Sequence, residues 1–449
     1  MMTTTLSSLP VELLAEIFTH SLPQYQSKPK ISTSPLLLTR VSRLWYNVAV
    51  ATPELWSTFS VDVRAEEDMI PLAAVKLWLS RSQTFPLSIS VDDSVFGKPE
   101  PPRQAFYDEL CQHAGRWRDV TFNATFTMIC RLNVQQPLDM LERLKMGSDD
   151  DRQFVPDRSI AMFATAPRLQ VVDILLDSDE AINIQEISLP WCQLTTFRGQ
   201  LITTQECFFV LLQAANLVEC EFRDIVLQGP ATPSNASVSR HLLPHIQTLR
   251  LDGSFAENYI ELILSLTLPN VKTLSLGSKK QVYTDNIVWS IFDSFLFRSV
   301  CNLTHLHFSV NNSTNEWEEL VERLPMFQML EFLELFSFNG DCNIAPLSYT
   351  FNVLLPQLQM LVFSSRGPPD SNSMANIITL LFKRTSVAWT ATHNNAPLRR
   401  FEYIWKLDNG VELDEKLPRH IEKLRRRGLQ VYFGLFKGLT EALPLRQHT

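Results

Sequence analysis

Histidines supply the first candidates for chemistry. His241 and His245 stand four apart in HLLPH, a spacing that on a helix puts two imidazoles on one face, as a zinc protease requires. Pro244 lies between them and forbids that helix, and the accompanying glutamate is missing. His305 and His307 alternate, so they share one face of an extended strand, yet no cysteine or carboxylate stands close by in sequence to complete a metal set. The seven cysteines are scattered and form no C-x-x-C pair. G-x-S-x-G, P-loop and G-x-G-x-x-G patterns are absent. RRRG at 425–428 falls near the end of a helical pattern, where cations complement the helix dipole. SDDD at 148–151 reads as a surface loop, with Ser148 a candidate for phosphorylation. No nucleophile, general base or metal set is legible, so a binding protein without enzyme activity, metal or cofactor is expected.

The elements that would have to position a site are built from ordinary globular composition. The chain has 449 residues, 45% hydrophobic and 20% charged, with 13 glycines. That length is too great for one compact core unless the core grows along one axis by repetition. A net charge of −8 argues against a broad nucleic-acid footprint, which needs clustered cations. The opening MMTTTLSSLP lacks a basic start followed by an apolar run, and apolar windows such as FFVLLQAANL fall short of the ~18–20 residues that span a bilayer. With an odd cysteine count, these features lead us to expect reduced thiols and a cytoplasmic or nuclear protein with no membrane or nucleic-acid partner.

Repetition is visible. LPHIQTLRLDG, LPNVKTLSLGS and LPQLQMLVFSS share a Leu-Pro opening and an apolar residue followed by others at +3 and +5. The +3 and +5 positions lie on one face of a strand. The Pro-led form occurs from Pro167, Pro244, Pro269 and Pro356. Looser copies fill the gaps: Trp117-Val120-Phe122, Leu141-Leu144-Met146, Leu194-Phe197, Leu217-Cys220-Phe222, Leu303-Leu306-Phe308, Leu330-Leu333-Leu335 and Leu398-Phe401-Tyr403. Segments 256–266, 315–324 and 374–384 carry apolar residues at helical spacing. Most intervals run from the low twenties to the low thirties, the period of leucine-rich repeats, so the pattern resembles an irregular leucine-rich-repeat solenoid over 61–449, with 61–115 transitional. The expected fold class is therefore α/β: parallel strands on one face, helices on the other, roughly eleven or twelve units.

The first sixty residues differ. LPVELLAEIF places Leu13, Leu14, Ile17 and Phe18 as one apolar stripe, with Pro10 in the first turn and Glu12 near the positive helix end. Leu37, Val41, Leu44 and Val48 read as the stripe of a second helix, flanked by Trp45 and ended by Thr52-Pro53. Such a small helical unit needs a neighbour or partner to cover it. In order, Leu9-Pro10-Val11-Glu12-Leu13-Leu14 with Ile17-Phe18, then Val41-Ser42-Arg43-Leu44-Trp45, then Leu55-Trp56 resemble an F-box. The arrangement is most similar to fungal F-box proteins, in which that domain (here 1–60) precedes irregular repeats. PQYQSKPKISTSP, polar and proline-rich, stands where a compact F-box has a short helix, and reads as a loop.

The resemblance implies a substrate receptor of a Skp–cullin–F-box ubiquitin ligase. Leu9, Pro10, Leu13, Leu14 and Ile17 would contact a Skp-type adaptor or support that contact, with Val41 and Trp45 packing the domain or reaching the adaptor. The repeats would hold an unknown target protein, and the transfer chemistry would belong to other subunits. The alternative is a leucine-rich-repeat interaction scaffold that does not direct ubiquitination. In either case residues at +2 and +4 of each strand should point out on a concave face. The +4 row reads Thr121, Lys145, Asp173, Arg198, Glu221, Arg250, Ser275, His307, Glu334, Val362 and Glu402. Its mixed charge suits a protein partner. Arg250, His307 and Glu334, with an exposed apolar cluster of Phe332, Phe336, Met360, Val362 and Ile404, are the expected partner contacts.

Overall fold

The computed structural model describes residues 9–23, 32–63, 72–93, 101–148, 159–176, 183–226, 240–253, 257–278, 287–310, 314–337, 355–365, 367–369, 371–386, 390, 395–405 and 417–435. Most of the expected 23–35 loop and Asp149–Asp151 of the acidic run lie outside them. Two compact units are present, Met1–Leu217 and Val218–Thr449.

The N-terminal unit opens on α1 (Val11–His20), started by Pro10, whose fixed backbone angle suits a helix entrance. Leu14 and Phe18, four apart, are buried, and the Phe18 ring lies 4.8 Å from Trp45. The expected single stripe is split: Leu13 and Ile17, also four apart but rotated by about 100°, face outward at 47% and 49% exposure. The second helix is also corrected. Leu38–Arg40 is a single 3₁₀ turn, and α2 begins only at Arg43 (Arg43–Ala51). Ser42 breaks the run because its extended backbone lets its hydroxyl accept from the Trp45 N–H at 3.2 Å, capping the new helix. Pro53–Trp56 then forms a 3₁₀ turn that seats Trp56 at 0% exposure. Its indole N–H donates to the Ala49 carbonyl at 2.8 Å. Its ring meets Trp78 edge-on at 4.8 Å and carries the Arg81 guanidinium 4.3 Å above it.

Six strands of this unit pair in parallel in chain order: β1 (Thr58–Asp62), β2 (Leu87–Asp93), β3 (Trp117–Ala124), β4 (Arg143–Ser148), β5 (Val171–Leu176) and β6 (Thr196–Gln200). The expected boundary at 60/61 falls inside β1, which is already a full partner of β2. In the second unit β7 (Glu219–Ile225), β9 (Thr248–Gly253), β11 (Thr273–Ser278), β12 (His305–Val310), β13 (Phe332–Ser337), β14 (Met360–Ser365), β15 (Arg400–Trp405) and β16 (Gln430–Leu435) do the same. A separate two-residue pair joins β8 (His241–Leu242) to β10 (Leu266–Thr267), so HLLPH enters a strand rather than a helix. Between strands run α3 (Leu72–Arg81), α4 (Pro101–Cys111), α5 (Phe126–Cys130), α6 (Thr204–Gln213), α7 (Glu257–Ser265), α8 (Ile287–Ser299), α9 (Thr314–Arg323), α10 (Ser371–Arg384) and α11 (Leu417–Arg426). The three segments read as helical from spacing form α7, α9 and α10.

Parallel pairing needs a return path after every strand, so each unit presents its apolar row to the next unit's row. Cys220, Leu249, Leu274, Leu306, Leu333, Leu361, Phe401 and Val431 stand side by side in one register, all buried. In the first unit Phe59, Ile89, Val120, Leu144, Val172 and Phe197 do the same. Each such side chain contributes about 1.5–3 kcal/mol of burial. One place in the second row of the first unit holds Gly199, opposite Ile174, and the Ile202 side chain fills its space, 2.8 Å from where a Cβ would stand.

Polar side chains fasten successive units. Arg116 donates to the Phe85 carbonyl, Gln193 to those of Ala166 and Leu169, Asn216 to Cys192 and Asn270 to Pro244. Arg298 bridges the Ile263 and Leu266 carbonyls, and Arg384 those of Leu355 and Leu358. In every case the donor lies later in the chain than the carbonyl it satisfies.

Candidate functional site

Two surfaces follow from the expected contacts. Among the N-terminal residues Pro10, Leu13, Ile17 and Val41 are exposed and Leu9 is half-buried. Leu14, at 0% exposure, cannot touch a partner and instead holds α1 in place; Trp45 does likewise against Phe18. Val11, Leu37 and Tyr46 join the outward set at 44–50% exposure. Val11 occupies the variable place inside the Leu-Pro-x-Glu-Leu-Leu pattern, so the pattern itself gave no reason to single it out. An outward set of this kind, on helices whose inner sides are already packed, is what a helix-in-groove contact requires.

The second surface is the face of each sheet opposite its apolar rows. The expected +4 row is continuous within each unit. Thr121, Lys145, Asp173 and Arg198 are register neighbours in one, and Glu221, Arg250, Ser275, His307, Glu334, Val362 and Glu402 in the other. Opposite charges meet along it. Arg198 reaches Asp173 at 3.2 Å, Arg250 reaches Glu219 at 3.0 Å and Glu221 at 3.5 Å, and Arg400 pairs with Glu402. The pairs between strands, Arg198 with Asp173 and Arg250 with Glu219 and Glu221, stand at the ~4.8 Å strand spacing and fix neighbouring strands laterally, while Arg400 and Glu402 share one strand.

At the middle of the second row the His307 Nδ1 lies 3.0 Å from the Glu334 carboxylate, whose other oxygen accepts from the Ser364 hydroxyl at 3.2 Å. Burial alone would lower the imidazole pKa. The adjacent Glu334 charge and hydrogen bond, aided by Asp252 and opposed by Arg250, outweigh it and hold His307 above its ordinary value. Burial likewise pushes Glu334 up, but His307 and the Ser364 hydroxyl pull its carboxyl below the usual range. His305, on the same face, stacks on Phe332 with centroids 5.6 Å apart and hydrogen-bonds Thr304. The two histidines are thus engaged separately, and among the described residues no group of three His, Cys, Asp or Glu side chains is placed to hold a metal ion.

The expected exposed apolar cluster is corrected. Phe332 and Val362 are buried at 6% and 4% exposure, Glu334 at 7%, and Phe336, Met360, Ile404, Arg250 and His307 are half-buried. The register explains this: Phe332 sits between His305 and Met360, and Val362 between Glu334 and Glu402, so neighbouring rows shield each other. Sequence reasoning placed these residues on the correct face but overestimated what a partner can reach. It read RRRG at 425–428 only as a helix terminus; Arg425, Arg426 and Arg427 are exposed there, as are Arg419 and Lys423 earlier in α11.

These observations define an α/β protein of repeat type, built on long all-parallel sheets. No protein-family model matches the chain, and no curated protein does. Among solved structures it is similar to a Bacteroides fragilis protein determined as a structural-genomics target, at 12% identity and a TM-score of 0.34, over 67% of this chain and 73% of that one. Among the described residues no helix is long and apolar enough to cross a membrane.

Proposed function

We propose that this chain is the target-recruiting subunit of a Skp–cullin–F-box ubiquitin ligase. In this reading its N-terminal helices dock on a Skp-type adaptor, and through it on a cullin, while the open sheet face holds the protein to be modified. The observation that carries the reading is the outward set Leu13, Ile17 and Val41, each about half exposed, the first two on α1 beside the stripe that Leu14 and Phe18 anchor and the third between the 3₁₀ turn and α2. Covering the exposed half of such a side chain is worth about 1 kcal/mol, and anchors near the centre of an interface exceed that.

Co-purification with a Skp-type adaptor tests it, comparing wild type with Leu13→Ala/Ile17→Ala. Alanine keeps the helix and neither residue is in the core, so far-UV circular dichroism should be unchanged. A loss of about 10–100-fold in adaptor affinity is expected. Absence of any wild-type complex sinks the reading. An adaptor complex that never takes up a cullin leaves instead an interaction scaffold that does not direct ubiquitination.

A further inference from the structure

The last helix, α11, separates charge from apolar side chains. At about 100° per residue, Arg419, Lys423 and Arg426, followed by Arg427, fall within one arc of roughly 100°. Leu417 and Leu424 lie on the other side and are buried. All four cations are exposed. Arg426 shares its charge with the exposed Glu422 at 3.1 Å, and Arg427 lies over the Phe382 ring while donating to the Phe382 carbonyl. Arg419 and Lys423 meet no acidic partner among the described residues. The open-face arginines Arg198, Arg250 and Arg400 do: each holds a carboxylate.

The helix dipole explains only part of this. Cations in the last turn, Lys423, Arg425 and Arg426, complement the negative end, but Arg419 stands in the first turn, where the dipole opposes a positive charge. A stripe that continues against the dipole, with Arg419 and Lys423 meeting no acidic partner among the described residues of a chain of net charge −8, is placed for something outside the fold. We propose that the outward face of α11 docks a carboxylate-rich segment of a protein partner. Cations four residues apart on a helix are about 6 Å apart along its axis, and alternate side chains of an extended peptide recur every ~6.6 Å, so same-side carboxylates of an acidic strand match the stripe. Arginine forks receive carboxylates in pairs. A nucleic acid is disfavoured because the overall negative charge repels it beyond this one helix. A bilayer is disfavoured because the apolar side of α11 is packed inward and cannot insert. The inference is independent of adaptor docking and can fail without touching it.

The test is fluorescence anisotropy of a labelled octaglutamate peptide with the full chain at low ionic strength. Wild type should bind, and more weakly as salt rises. Arg419→Glu/Lys423→Glu should bind at least tenfold more weakly, while Arg40→Glu/Arg43→Glu, with the same change in net charge, should bind as wild type. Arg419→Gln/Lys423→Gln, at intermediate affinity, separates loss of the stripe from any melting of the helix, and Arg419→Lys should retain binding. No wild-type binding, or equal loss in the Arg40/Arg43 control, overturns the proposal. So does tighter, stripe-dependent binding of a charge-matched oligonucleotide or of phosphatidylserine vesicles, which would reassign the surface to that partner.

Discussion

Trp56 is the place where the helical N-terminus is fastened to α3, and the cost of trimming it can be worked through. Trp56→Phe removes the indole N–H that donates to the Ala49 carbonyl at 2.8 Å. That carbonyl keeps the Thr52 N–H at 3.4 Å, so it is not orphaned and the loss is near the low end of the range, about 0.5–1 kcal/mol. The smaller ring keeps part of the edge contact with Trp78 and part of the attraction to Arg81, giving up about half of each, about 0.5–1 kcal/mol together. The rest is the space left by the missing ring at a site with 0% exposure, about 1 kcal/mol if neighbours relax partly. The total is about 2–3 kcal/mol for Trp56→Phe, and about 3–5 kcal/mol for Trp56→Ala. Urea unfolding followed by far-UV circular dichroism measures both. A double-mutant cycle of Trp56→Ala with Arg81→Ala should show a coupling of about 0.5–1 kcal/mol, and the Trp56→Phe cycle about half of that. A Trp56→Phe protein within 0.5 kcal/mol of wild type, with no coupling to Arg81, would refute the assignment of Trp56 as the anchor.

Three further outcomes follow from the same structure. His307, raised in the fold, stabilises fully below its unfolded value near 6.5 and loses that contribution as pH rises through its folded value; Glu334, lowered, contributes above about 4.5 and loses it as pH falls. The Tm advantage of wild type over His307→Gln should therefore be largest near pH 5–6 and shrink toward pH 9, and a flat difference in thermal melts counts against the pair. Gly199→Val should destabilise by about 1–3 kcal/mol in urea, because its side chain meets Ile202, and Gly199→Val/Ile202→Ala should recover part of that. Arg384, buried enough to lower its pKa to about 10, bridges two carbonyls, so Arg384→Ala should cost about 2–4 kcal/mol and Arg384→Lys should restore less than half.

The repeat was legible because its chemistry is local. A proline that stops a helix and two apolar residues on one strand face must recur wherever units stack, and every strand from β3 to β15 apart from the short β8 and β10 pair carries that trace or a loose copy. Where the trace failed, the geometry differs. Before β16 the left-handed turn at Gly428 shortens the approach, so Leu429, Val431 and Phe433 fall at +2 and +4. β2 has the same short spacing in Leu87, Ile89 and Val91. Trp56-Phe59-Val61 fits the template but lies inside the stretch that reads as F-box. The face of each open-side residue was readable from period two, whereas its exposure was not, because shielding comes from the neighbouring strand about thirty residues away, as with Phe332 and His305. The split of α1 into Leu14/Phe18 and Leu13/Ile17 was beyond the pattern for a similar reason: all four are apolar, and the packing that covers one pair, such as Trp45 against Phe18, comes from residues further along the chain.

The fastening side chains give the stack a polarity in time as well as in space. Each donor belongs to a later unit and each acceptor to an earlier one, from Arg116 on Phe85 to Arg384 on Leu355 and Leu358. A chain emerging amino end first therefore lays down its carbonyls before the groups that will hold them. Water can serve those carbonyls meanwhile, and each arriving segment finds its partner already fixed in place. These fastening bonds can therefore close as each unit arrives, and a long parallel sheet, slow to assemble from a complete chain, can be extended strand by strand as it is synthesised.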